Sequence, residues 1–176
     1  MPRSPLPSAP RRRSLRSLLP ALLLPLVVLP LLLLLPGRPA AAAVDVAKQV
    51  LIGADYAGQD LRGATFNLTN LRDADLSGAD LQGASLFGAK LQDANLSNTN
   101  LREATLDSAV FNGTDLTNAV LEDAFAFNTR FEGVTITGAD FTNVPLRGDA
   151  LKALCAVASG SNPVTGRDTR ASLGCS

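Results

Sequence analysis

The sequence predicts an all-β solenoid built from five-residue units and closed by a short helix and a tail. Three observations predict it. A large apolar residue stands at every fifth position from Tyr56 to Leu146, with only Ala126 small among the nineteen. Ala, Thr or Val stands two positions before each of them, Gln59 being the exception. Gly, Asn, Asp or another turn-tolerant residue usually stands two positions after. A period of five fits neither the helix period of about 3.6 nor the strand period of about 2. It fits a unit whose small and large residues point inward as alternate strand positions and whose last residue turns a corner. No unit can bury its apolar side alone, so the units must wind and stack.

The chain opens with a different composition. RRRSLRSLLPALLLPLVVLPLLLLLPGRPAAAAVD runs from basic to apolar to small residues, the layout of a secretory signal, with Ala41-Ala42-Ala43 as the cleavage site before Val44. Residues 1–43 are therefore expected to be a signal peptide. The same stretch also reads as a retained membrane anchor, because Leu18 to Leu35 is long for a signal core; Pro20, Pro25 and Pro30 count against a spanning helix. Arg12-Arg13 offers a twin-arginine route, set within a run of three arginines. Residues 44–53, VDVAKQVLIG, are expected to cap the first coil.

Composition removes several function classes. The 176 residues contain no His and no Trp, so no histidine base or histidine metal ligand exists. The formal net charge of zero conceals an asymmetry: six arginines precede position 44 and all sixteen acidic residues follow it. Without the leader, ten basic residues face sixteen acidic ones. An acidic chain is a poor partner for a nucleic-acid backbone. There is no Asp-x-Asp-x-Asp-Gly calcium loop, no phosphate loop and no nucleophile–base pair, so neither a metal, a cofactor nor an enzymatic activity is expected.

The repeat itself, A-[DN]-[LF]-x-x over residues 54–148, resembles the pentapeptide-repeat family. That resemblance implies a right-handed quadrilateral β-helix, with residues twenty apart stacked on one wall. The Ala126 column then reads Phe66, Leu86, Leu106, Ala126, Leu146, and the alanine leaves a gap. Phe125 and Phe127 beside it either fold over the gap or face outward. Sorting the outward positions by wall gives an acidic flank carrying Asp60, Asp80, Glu103, Glu122, Asp123 and Asp140, offset there by Arg62 and Arg102, and continued by Asp55, Asp75 and Asp115 on the preceding wall. It also gives an apolar wall carrying Leu68, Phe87, Phe125 and Phe127. Solvation is the ordinary reading of the first and local packing of the second; docking is the functional reading of both.

Residues 149–176 are expected to form a helix with Asp149 as N-cap and Gly160 as stop, then a loop-rich tail. Cys155 and Cys175 are the only cysteines. An exported chain can join them as a disulfide; a reversible redox pair and two free thiols are the alternatives. No C-x-x-C is present. The tail SNPVTGRDTR, followed by SLGC, is similar to the terminus of thylakoid-lumen members of the family. This implies a lumenal or periplasmic address and a cysteine pair in the tail.

The expected function is thus a non-enzymatic, exported scaffold that binds a protein partner through Leu68, Phe87, Phe125 and Phe127, with no nucleic acid and, after cleavage, no membrane as partner. A DNA-mimicking topoisomerase inhibitor, as some family members are, and a redox-regulated lumenal factor using Cys155 and Cys175 are the alternatives.

Overall fold

The computed structural model describes residues 43–176; residues 1–42, which hold nearly all of the expected signal, lie outside them. Sixteen parallel bridges, from Asp45↔Thr65 to Val120↔Asp140, each join residues twenty apart. Four five-residue walls therefore complete one turn, so the coil has four sides. The central residue's N–H reaches the next coil, as Leu61 N does to Asp80 O at 2.8 Å, and the following coil returns a bond from Asp80 N to Gln59 O at 2.9 Å.

The inward residues make an unbroken core. Central residues from Leu61 to Phe141 and alanines such as Ala64, Ala84 and Ala104 are buried. Where threonine replaces alanine, its hydroxyl is satisfied by a carbonyl, as Thr114 Oγ1 is by Leu91 O at 2.7 Å and Thr129 Oγ1 by Leu106 O at 2.8 Å. Phe111 and Phe131 stack in one column with centroids 5.3 Å apart. Corner residues take the left-handed conformation, glycine cheaply and residues such as Leu68 (φ 57°) at a cost of about 1 kcal/mol.

Two expectations about the ends are corrected. Residues 44–53 do not form a separate cap: Asp45 and Val50 bridge Thr65 and Asn70, and Lys48 and Gly53 make left-handed corners, so the segment winds as two more units in register. Their central residues, Val46 and Leu51, are apolar enough to line the interior. At the other end, helix α1 spans Gly148–Val157 with Arg147, extended and without a side-chain bond, at the N-cap; Asp149 lies in the first turn and Ala158, not Gly160, is the C-cap. α1 buries Leu154 against the last coil.

The tail carries a second helix, α2, over Thr169–Leu173. Asp168 accepts a bond from Ala171 N, and Gly174 (φ 68°) ends the helix. The sulfurs of Cys155 and Cys175 are within bonding distance, with Cα atoms 5.7 Å apart, tying α1 to the end of the chain. Among the described residues no helix is long and apolar enough to cross a membrane.

Candidate functional site

The acidic flank is built from turn chemistry before it is a charged surface. A carboxylate or amide one position before the central residue accepts the N–H two residues on: Asp60 Oδ1 from Arg62, Asp80 Oδ1 from Gln82, and Asp140 Oδ1 from Thr142, at 3.0–3.3 Å. The spacing that makes the motif polar at this position is thus an Asx turn repeated along the coil. Arginine partners meet part of the flank. Arg62 pairs with Asp60 at 2.6 Å and approaches Asp80 at 3.6 Å. Arg102 meets Glu122 at 3.2 Å. Amides hold the exposed members, Gln82 donating to Glu103 and Asn143 to Asp123. The side-chain bond from Arg62 holds the Asp60 carboxyl down to about 2. Among the described residues no three acidic or cysteine side chains gather in a metal-binding cluster.

Asp140, expected outward on this flank, is instead fully buried, with 0 % exposure. The tail covers it: Arg167 Nη1 lies 3.0 Å from Asp140 Oδ2 and 2.7 Å from Glu122 Oε1. Arg167 comes from beyond the repeat and joins Arg62 and Arg102 as a third cation on the wall. Burial raises the Asp140 pKa, but bonds from Thr142, Thr165 and Arg167 outweigh it and leave the carboxyl below its ordinary 3.8. The folded chain therefore binds fewer protons here than the unfolded one. The contribution is complete above the unfolded value and is lost as pH falls from about 4 downward. Asp140→Asn is expected to flatten the acid limb of a stability–pH profile measured by circular dichroism.

Asn162 completes this closure. Its side-chain amide donates to Gly138 O at 2.8 Å, Asn118 O at 3.1 Å and Ala119 O at 3.3 Å, while its carbonyl accepts from Val164 N and Thr165 N. One buried side chain thus meets the carbonyls of two successive coils and fixes its own loop. In the sequence, Asn162 and Arg167 stand out only within the tail's resemblance; their roles need the coil beneath them.

Leu68, Phe87, Phe125 and Phe127 are 52 %, 44 %, 59 % and 55 % exposed. All four flank the Phe66–Ala126 column, so they share one wall. Phe125 and Phe127 face outward and do not fold over Ala126, which is itself buried. Phe87 and Phe127 are two coils apart in the same position, roughly 10 Å at the usual strand spacing. Asp107 occupies the coil between them. It accepts from Asn128 N at 2.9 Å, whereas most corner N–H groups donate to the next coil's carbonyl. Asn128 also lacks the left-handed φ that marks every other corner from Lys48 to Asn143. The wall's regular ladder is therefore altered where Phe125 and Phe127 emerge.

A family model described as Pentapeptide repeats (8 copies) matches residues 50–86 and 84–123. Among solved structures, a pentapeptide repeat protein from the Arabidopsis thaliana thylakoid lumen is 48 % identical, with a TM-score of 0.71, over 72 % of this chain and 88 % of its own. A pentapeptide repeat protein from the cyanobacterium Cyanothece 51142 is 30 % identical over 58 % of this chain and 64 % of its own, with a TM-score of 0.39. A plasmid-mediated fluoroquinolone resistance protein is 17 % identical over 70 % and 74 %, with a TM-score of 0.25. No curated protein sequence matches. The repeat match and the Arabidopsis relative imply a right-handed coil. Twenty-residue pairing, the matched repeat and the Arabidopsis structure lead to one conclusion: this chain belongs to the pentapeptide-repeat family.

Proposed function

We propose that the chain is an exported, non-enzymatic β-helical scaffold that binds a protein partner in the thylakoid lumen, with Leu68, Phe87, Phe125 and Phe127 as its contact surface. The observation that carries this reading is the exposure of four large apolar side chains on one wall of a rigid coil. Aromatic side chains held by a fixed backbone lose little entropy on binding, and exposed apolar patches on soluble proteins mark interfaces. The basic, apolar and small-residue succession of the leader supports export, and the lumenal source of the 48 % identical relative favours the lumen over the periplasm. The acidic flank takes a secondary part, steering the encounter through Glu103 and Asp123. Pairing of Asp60, Asp80, Glu122 and Asp140 with Arg62, Arg102 and Arg167 speaks against a DNA mimic, which needs unpaired negative charge in regular array.

Affinity capture from isolated lumen tests this reading. Phe87→Ser/Phe125→Ser/Phe127→Ser should fold normally, because substitutions of side chains this exposed typically move stability by no more than about 0.5 kcal/mol each. The unaltered chain should retain a discrete partner that the variant loses. Identical capture by both would make the wall a packing feature and overturn the site.

A further inference from the structure

Stacking gives the coil a hydrogen-bonding polarity that its two ends inherit. Each wall sends two N–H groups toward the C-terminal side, from its central and corner residues: Leu51 N reaches Asn70 O, and Gly53 N reaches Arg72 O. In the same direction it offers one carbonyl, as Gln49 O does to Asn70 N. Toward the N-terminal side the ratio inverts, to two carbonyls and one N–H per wall. In the first coil this leaves eight carbonyls, beginning with those of Asp45 and Ala47, and four N–H groups without a backbone partner among the described residues. One of the carbonyls, that of Asp55, takes a 3.4 Å contact from Gln59 Nε2.

The opposite end is closed by Asn162, by Ser159 O on Gly138 N and by Ser172 Oγ on Phe141 N. At the N-terminal end the floor of the interior, Val46, Leu51 and Tyr56, is only partly buried, and Val50 and Ile52 are exposed. The carboxylates of Asp45, Asp55 and Asp60 ring this floor, with Lys48 and Arg62 as the cations.

We propose that this N-terminal edge docks an extended, cationic segment of another polypeptide. The segment adds to the coil as a strand, sets apolar side chains on the Val46–Leu51–Tyr56 floor, and directs lysine or arginine donors at the carbonyls its own backbone leaves over. Three features select this occupant. An ordinary strand offers donors and acceptors equally, so it leaves about half of an acceptor-rich edge unmet unless side chains donate. The rim carries more carboxylates than cations, which favours positive charge. A second copy meeting end to end would oppose carbonyls to carbonyls, and a copy stacking head to tail would have to displace the tail from the far end.

The test uses the protein as an exporting host processes it, with a synthetic peptide of alternating lysine and valine as probe and one of alternating glutamate and valine as control. The lysine peptide should shift and protect the backbone amides of Asp45, Val50 and Asp55 in nuclear magnetic resonance spectra. Asp45→Asn/Asp55→Asn should weaken its binding by about tenfold and leave the melting temperature nearly unchanged, because asparagine keeps the Oδ1 that accepts from Ala47 N and Ala57 N. The proposal is overturned if the shifts fall elsewhere, or if the glutamate peptide binds as well. It is equally overturned if these amides are already protected without peptide, either in a dimer seen by sedimentation or in a monomer whose own upstream residues cover the edge.

Discussion

Asn162→Asp should release the tail from the last coils and cost about 3–5 kcal/mol. The exchange keeps the side chain's size and its acceptor for Val164 and Thr165, but it removes the donors to Asn118 O, Ala119 O and Gly138 O. In their place a carboxylate would face three carbonyls in a site only 1 % exposed. A buried charge with no partner is expensive, and each orphaned carbonyl adds its own desolvation cost. Asn162→Ala should cost less, because it orphans the carbonyls without adding charge. Chemical denaturation of the two variants beside the unaltered chain checks the order. An aspartate variant as stable as the parent would mean that the tail is not held by this residue.

Opening Cys155–Cys175 should cost roughly 3 kcal/mol in the chain-entropy account of a bond closing about twenty residues. The bond ties α1, which covers the last coil with Leu154, to the segment just beyond α2. Its loss should loosen both helices and leave the repeat wound, because the parallel bridges among residues 45–140 do not involve the tail. Cys155→Ser/Cys175→Ser, compared by denaturation with the oxidised parent, gives the magnitude; amide exchange gives the location. Partner binding at the aromatic wall should survive reduction. Binding that follows the redox state would instead favour the reading of this pair as a regulator.

Most of the coil is legible in the sequence because the period of five runs without an insertion and every unit repeats the same inward pair. Its limits are instructive at particular residues. Val46, Leu51 and Gly53 hold the right positions for two more units, but Gln49 in a small-residue position and Lys48 at a corner hide them. The outward positions of Phe87, Phe125 and Phe127 follow from the register alone, since nothing from outside the repeat covers them enough to bury them. Asp140 obeys the same register and is buried, because Arg167 reaches it from twenty-seven residues downstream. No periodicity encodes that contact. The acidic flank shows the same lesson: a tally of charge sees Asp60 and Asp80, whereas the turn they close and the arginine between them appear only when successive coils are stacked.

The central claim, that one wall of this coil is a protein-binding surface, is tested most directly by site-specific crosslinking in the intact lumen. A photoreactive side chain would be placed at Phe87, at Phe125, or at Gln92 on the neighbouring wall. The account predicts one discrete protein adduct from positions 87 and 125 and none from position 92. An adduct from position 92 alone, or none from any position while the protein is folded and correctly located, would contradict it.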